Sequence, residues 1–322
     1  MRAISPRHDL RAFRQTRQII KRFRPDVVNC HSSKAGALGR LAVRSTRRRP
    51  AVVFTPNALA LSLGTHFRAV EWVLGHLCTD VMIAVGDSER IEIIDSKVVP
   101  RERVAVVRPF IDTDWFSPLS TDVARREVGV DEGAPLIVSV GRLSTQKDPL
   151  SFAEIVGRVR SRIPSVKALW VGDGELRPDF EASLRKLGLC DSVHITGWQR
   201  DVRTYFSAAD VVLFTSLYEG LPHAVAEALA MSRAVVATRV TGTVDVVGDG
   251  TYAKTFAPGD LDTAAGHVVS LLHSPDTRLA LAKPGREYVR QAFSRERMRS
   301  DLLRAYARAF ELQRARGGLL GQ

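Results

Sequence analysis

The chain has 322 residues, enough for two domains, and its 45% hydrophobic and 25% charged content is that of a folded protein rather than a disordered one. No stretch is apolar for long enough to span a bilayer, and the opening "MRAISPRHDLRAFRQ" lacks the apolar core of a secretion signal. The formal net charge of +12, much of it Arg in helical segments and in "RSTRRRP" (44–50), comes without the aromatic interleaving or groove-entering motif of a nucleic-acid binder. It suits anionic headgroups or sugar-nucleotide phosphates instead.

A helical period over 9–24 precedes an apolar strand run, "DVVNCH" (26–31). Helix over 35–46, strand "AVVFT" (51–55), helix over 66–79, and strands "DVMIAV" (80–85) and "RVAVV" (103–107) follow. The turn-rich "RPFIDTDWFSPLSTD" then breaks the pattern near 113–122. A second series begins with strands "PLIVSV" (135–140), "VKALWVG" (166–172) and "SVHITG" (192–197). It continues with "VVLFTS" (211–216), "AVVAT" (234–238) and "TYAKTF" (251–256). Helices are expected between them over 149–162, 175–187 and 222–231, and at the end over 260–273, 276–291 and 295–315. Alternation of this kind predicts α/β architecture with two parallel sheets, each covered by helices on both faces. The expected domains are 1–112 and 113–295, with a closing helical segment over 296–322. Cys30, Cys78 and Cys190 are scattered, match no metal spacing and predict buried free thiols of a reducing cytoplasm.

Ligands of open parallel sheets bind beyond the carboxyl ends of the strands, so the residues that follow each strand carry the functional reading. "PLIVSV" runs into Gly141-Arg142-Leu143-Ser144-Thr145-Gln146-Lys147, which fails the Walker pattern because Gln146 replaces the second Gly. Arg142 and Lys147 still suit a diphosphate, unless the loop is simply a solvated basic one. "SVHITG" is followed by Trp198-Gln199-Arg200-Asp201, in which the indole either flanks a base or packs in the core, the core reading being preferred. After "AVVAT", Gly242 lets backbone N–H groups approach a ligand.

"VVLFTS" leads to "EGLPHAVAE" (219–227), a helix of small apolar residues with a carboxylate at each end. Gly220 frees the chain, Leu221 follows, and Pro222 fits the first helical turn, whose N–H groups form an anion site. Glu219 falls in the loop at that mouth. Glu227 projects from the second turn and needs a partner or a wet cleft. His223, beside the helix N-terminus, is expected neutral and next to phosphates rather than a general base. His31 and Lys34 stand at the end of the first strand, where a satisfied structural His31 is the alternative to a ligand-facing one. Cations, a helix mouth, carboxylates and a Gly-bearing loop together describe a site for a nucleotide diphosphate carrying hydroxyl-rich groups.

These residues resemble those of the retaining glycosyltransferases of family 4, over about residues 9 to 310. The most specific match is "EGLPHAVAEALAMSRAVVAT", with the family's Glu-x7-Glu spacing as Glu219 and Glu227; "VGRLSTQKDP" and "RPDVVNCHSSKAGALGRLA" are similar to two further family stretches. The resemblance implies the GT-B fold, two Rossmann-like domains facing each other, with the closing helix crossing back to the first. It implies that Glu227 binds the ribose, that Glu219 lies against the donor sugar, and that Arg142 and Lys147, with Gly141, hold the diphosphate. The implied reaction is metal-independent, cofactor-free transfer of a hexosyl group from a UDP- or GDP-sugar to a saccharide or lipid-linked saccharide. Cell-surface polysaccharide synthesis, in the cytoplasm or on the inner face of the membrane, is the implied setting. The resemblance implies that His31, Lys34 and Asn57 face the acceptor; Asn57 stands where many relatives have His, so it can donate a hydrogen bond there but not a proton. The strands that open the family's first domain are not found before "MRAISPRHDLRAF". This predicts an incomplete first domain, an exposed edge on "DVVNCH" and weak transfer by this chain. The alternatives are a nucleotide-sugar-binding remnant without catalysis and a nucleotide-sugar epimerase of the same fold, although no acid/base cluster for epimerisation is evident.

Overall fold

The computed structural model describes residues 5–57, 65–131 and 133–319, which leaves 320–322 of the expected closing segment outside the described residues. The chain divides into two units, Met1–Pro109 with Arg295–Gln322, and Phe110–Ser294. The first begins with α1 (Pro6–Phe23), β1 (Val27–His31), α2 (Ser33–Arg44), β2 (Ala51–Thr55) and α3 (Thr65–Cys78). It continues with β3 (Val81–Ala84), α4 (Asp87–Ser96) and β4 (Val104–Val106). Its four strands are parallel in the order β1-β2-β3-β4, with β1 at an edge.

The second unit contains α5 (Thr121–Glu127), β5 (Leu136–Val140), α6 (Pro149–Arg160), β6 (Lys167–Val171), α7 (Arg177–Lys186) and β7 (Val193–Gly197). Then come α8 (Arg203–Ala208), β8 (Val211–Phe214), α9 (His223–Ala230), β9 (Ala234–Thr238), α10 (Thr243–Val246) and β10 (Lys254–Phe256). Two helices, α11 (Leu261–His273) and α12 (Pro275–Ala292), close it, and α13 (Arg295–Leu319) returns to the first unit.

The near-continuous Val/Ile/Leu/Ala runs become strands because both faces of each sheet are covered, so neither side of the pleat needs polar residues. In the first unit the alternation sends Ala51, Val53, Val81 and Ile83 toward Ala305 and Ala309 of α13, and Phe54, Met82 and Ala84 toward Ile93, Val98 and Val99. In the second unit the six parallel strands lie in the order β10-β9-β8-β5-β6-β7. The order reverses between β5 and β8, and this switch point is where the loops at the strands' carboxyl ends diverge and open a crevice.

The structure adds α4, α5, α8 and α10 to the expected helices and shortens "VVLFTS" and "TYAKTF" to β8 and β10. The strand β8 stops at Phe214 because the hydroxyl of Thr215 turns to donate to the carbonyls of Lys147 (2.8 Å) and Asp148 (2.9 Å). The cysteine expectation holds only for Cys30, which is buried and whose thiol burial pushes up to about 11. Cys190 is exposed and Cys78 only partly covered, because each lies at a helix end or surface turn rather than in a strand. No described helix is long and apolar enough to cross a membrane.

Among the described residues, the first unit buries charged side chains at Arg40, Asp80 and Glu89. Arg40 of α2 is 0% exposed; it donates to the carbonyl of Gly36 (3.1 Å) and to both oxygens of Glu71 on α3 (2.8 and 2.9 Å). Its guanidinium lies 3.8 Å from the centroid of the Phe54 ring. Removing the carboxylate strands a buried cation, so Glu71→Ala is expected to destabilise the first unit by about 3–5 kcal/mol. Urea unfolding followed by circular dichroism should show that unit's transition moving while the second unit's stays in place.

Candidate active site

The loop after β5 and the loop after β8 meet at the switch point. The N–H of Gly141 donates to the carbonyl of Val171 (3.0 Å), and the buried indole of Trp170 donates to the carbonyl of Gly141 (2.9 Å). Gly172 has φ +145° and its missing Cβ would lie 2.0 Å from the Gly141 carbonyl, so β6 passes this loop at a distance only glycine permits. Downstream, Asp148 takes φ 47° and caps α6, its carboxylate accepting from the backbone N–H of Ser151 (3.2 Å) and the Ser151 hydroxyl (2.5 Å).

Glu219 is buried and ion-paired to Lys147, whose ammonium donates to one carboxylate oxygen. Gln146 donates to the other oxygen (3.2 Å) and to the carbonyl of Tyr218 (3.1 Å), while the N–H of Leu217 donates to the carbonyl of Gln146 (2.8 Å). The sequence-expected diphosphate cation Lys147 is thus already engaged by the sequence-expected sugar-side carboxylate. Arg142 is exposed, and its guanidinium makes no hydrogen bond or ion pair with any described residue. With Gly141, Gly172, Asp173, Trp198 and Val202 it lines a cleft of about 290 Å³ at the carboxyl ends of β5, β6 and β7.

Helix α9 begins one residue later than expected. Pro222 is its N-cap (φ −76°, ψ 99°) rather than its first helical residue, because its carbonyl accepts from the N–H groups of Val225 (3.1 Å) and Ala226 (3.3 Å). His223 keeps an exposed face; the protein packed about the ring pushes its pKa below the usual imidazole value, Glu219 opposing and Lys147 reinforcing that shift. Burial is therefore the main cause here, where the sequence reading invoked the helix dipole. Leu221 and Gly220 are buried at the mouth. Gly242 (φ +79°) sits with its missing Cβ position 2.1 Å from the carbonyl of Gly220 and 3.0 Å from that of Glu219. The close approach the structure shows there is to the backbone of the Glu219–Gly220 loop.

Trp198 is 76% exposed at the rim of the cleft, which corrects the core reading; its strand ends at Gly197 and the indole follows outside the sheet. Arg200 is exposed and lies outside the cleft's lining. In the first unit, His31 and Asn57 are exposed at the carboxyl ends of β1 and β2, Asn57 with φ 55°. Lys34 is ion-paired to Asp9 of α1 at 2.7 Å, a partner the sequence reading did not foresee. Gln146, Trp170, Thr215 and Gly172 were not assigned roles from the sequence, yet they hold the two loops in place. The signal was present for Thr215, a polar residue directly after an apolar strand, and for Gln146, the residue that breaks the Walker pattern.

The carboxyl of Glu227 makes no hydrogen bond or ion pair with any described residue, and burial pushes its pKa up to about 7. A carboxyl whose folded pKa lies above its unfolded value loses stability as pH rises between the two, here from about 4.5 to about 7. Glu227→Gln removes that loss. The unliganded variant is expected to melt higher than the wild type at pH 8 by an amount equivalent to about 1–3 kcal/mol, allowing for partial solvation. The two should melt together near pH 4.5, and thermal scans across that range check the sign.

Residues 3–115 match the family described as Glycosyltransferase Family 4, and residues 134–274 match Glycosyl transferases group 1. The chain is 29% identical over 252 residues to the UDP-Gal:alpha-D-GlcNAc-diphosphoundecaprenol alpha-1,3-galactosyltransferase of Escherichia coli, covering 75% of this chain and 65% of that protein. It is 30% identical to the lipopolysaccharide core biosynthesis glycosyltransferase LpsE of Rhizobium meliloti over 58% of this chain and 53% of LpsE. It therefore spans less than two thirds of the length of either. The structure of Anabaena Alr3699/HepE in complex with UDP superposes with a TM-score of 0.82 at 19% identity, covering 92% of this chain and 81% of that one. The chain thus has the parallel two-domain GT-B fold, and each of its units carries a match to a glycosyltransferase domain.

Proposed function

We propose that this protein transfers a hexosyl group from a nucleotide diphosphate sugar to a hydroxyl of a saccharide or lipid-linked saccharide, with retention at the anomeric carbon. The observation that carries the reading is the meeting of the β5 loop and the mouth of α9 at the switch point, where Glu219 pairs with Lys147, with Arg142 of the same β5 loop lining the cleft at the ends of β5, β6 and β7. In the reaction, the bond between the anomeric carbon and the diphosphate oxygen breaks, a bond to the acceptor oxygen forms, and the acceptor's proton passes to the departing diphosphate. Negative charge grows on the departing diphosphate. Arg142 meets it with a planar fork, Lys147 with a point charge, and the first N–H groups of α9 with their dipoles; preorganised donors of this kind act without reorganising. In this reading those groups, rather than a metal ion or cofactor, take up the leaving charge.

Glu219, anchored by Lys147 and Gln146, presents its carboxylate toward the sugar hydroxyls. Glu227 accepts from the ribose, and Trp198 and Gly141 border the nucleotide. UDP is the first donor to test, because UDP is bound in the HepE structure and named in the E. coli relative, with GDP as the second. His31, Lys34 and Asn57 are assigned to the acceptor side. A lipid-linked acceptor, as in the name of the E. coli relative, would place the work at the cytoplasmic face of the membrane within cell-surface polysaccharide synthesis.

The test separates the parts. Arg142→Ala should weaken nucleoside diphosphate binding by about tenfold to a hundredfold, the worth of a charge-assisted contact, and nucleoside binding hardly at all. Glu227→Gln should weaken nucleoside and nucleoside diphosphate alike, and wild-type affinity should rise with pH through about 7 as the carboxylate forms. Glu219→Gln should leave nucleoside diphosphate affinity nearly intact and reduce transfer from the intact donor. Calorimetry and a donor-panel transfer assay read all three; equal losses of nucleoside and diphosphate in Arg142→Ala would remove the assignment.

A further inference from the structure

The surplus of positive charge has a location that the transfer chemistry does not use. Arg17, Lys21 and Arg24 of α1 and its cap, with Arg47 and Arg48 of the turn after α2, line a pocket of about 730 Å³ floored in part by Ile20. It lies at the amino ends of the first unit's strands, since Pro25 precedes β1 and Pro50 precedes β2, while His31 and Asn57 mark the other end. Five residues of strand separate the two ends, about 13 Å or more of extended chain.

A dipole explanation for the cations falls short. The helices α1 and α2 both end at this pocket, and two carboxyl ends supply together about one unit of negative charge. Asp26 supplies one more, and it is already paired to Arg48 at 2.9 Å. Five cations exceed both. The helix ends are also closed by the chain itself: the N–H of Arg24 donates to the carbonyl of Ile20 (3.0 Å), the hydroxyl of Ser45 to that of Ala42 (2.7 Å), and the hydroxyl of Thr46 to that of Val43 (2.8 Å). A second observation points to an absent partner. The Nε–H of Arg17 is buried and has no hydrogen-bond partner among the described residues, and a buried donor left unmade is costly.

We propose that this pocket binds a phosphate group, either free or carried on a lipid, at a site that shares no residue with the candidate active site. Clustered guanidinium and ammonium groups with an unmet donor match the several acceptor oxygens and multiple charge of phosphate. The proposal does not depend on sugar transfer.

Two probes distinguish the sources. Pyrophosphate binding is measured by calorimetry on the full chain carrying Arg142→Ala, so that binding at the loop after β5 is weakened. Vesicles of phosphatidylcholine, with and without about a third of phosphatidylglycerol, are tested by co-sedimentation with the unaltered chain. Arg47→Gln/Arg48→Gln, both exposed, and Lys21→Gln/Arg24→Gln are each expected to weaken one of these interactions about tenfold. The control Arg185→Gln/Lys186→Gln removes the same charge from exposed positions on α7 and should change little. Loss confined to the pocket variants supports the site; with pyrophosphate the ligand is a free phosphoanion, and with anionic vesicles alone it is a headgroup. Absence of binding to both probes, or an equal loss in the control, overturns it.

Discussion

A carboxylate taken out of water must be given a positive charge and donors in return, and Glu219 receives both from a loop that is distant in sequence. Its side chain is 6% exposed, Lys147 pairs with one oxygen and Gln146 donates to the other. Because these partners sit in the loop after β5, the requirement ties the carboxyl ends of β5 and β8 together. The Gly141 carbonyl, the Trp170 indole, the Thr215 hydroxyl and the glycines at 172 and 242 then read as parts of one arrangement. Each lets a backbone approach closely or satisfies a carbonyl that the approach would otherwise strand.

The two carboxylates of the Glu-x7-Glu spacing occupy contrasting surroundings eight residues apart. Glu219 has a cation and an amide; Glu227, set among Val225, Ala226, Ala228 and Leu229, has neither, and burial raises its pKa toward neutrality. A carboxyl held this way is costly to ionise in the unliganded protein, and a ligand that donates hydrogen bonds to it recovers that cost. The loop at the mouth of α9 thus carries a group fixed in advance, and the helix itself carries one whose charge awaits a partner.

Much of the fold was legible because its signals are local. Runs such as "AVVFT", "PLIVSV" and "AVVAT" are buried on both faces, and the helices between them repeat at 3.6 residues, so element type and parallel sheets follow from pattern alone. The short helices Asp87–Ser96, Arg203–Ala208 and Thr243–Val246 carry too few turns to show a period, and β8 stops early for a hydrogen bond to another loop. Cys190 illustrates the same limit: an apolar neighbourhood in sequence does not reveal that its turn faces solvent.

At the site, sequence alone determined the identities and spacing of Glu219, Glu227, Arg142 and Lys147 and their positions at strand ends, because strand ends and helix mouths are local features. Tertiary structure decided who meets whom. It paired Lys147 with Glu219 and Lys34 with Asp9, turned Trp198 outward, left Glu227 without a partner among the described residues, and set Gly242 against the backbone of Gly220. It also gathered cations from α1 and from the turn after α2 into one pocket. The physical reason is that charge and hydrogen-bond pairing act across a few ångströms of space, and the strand order that brings such groups within that range is a property of the folded sheet.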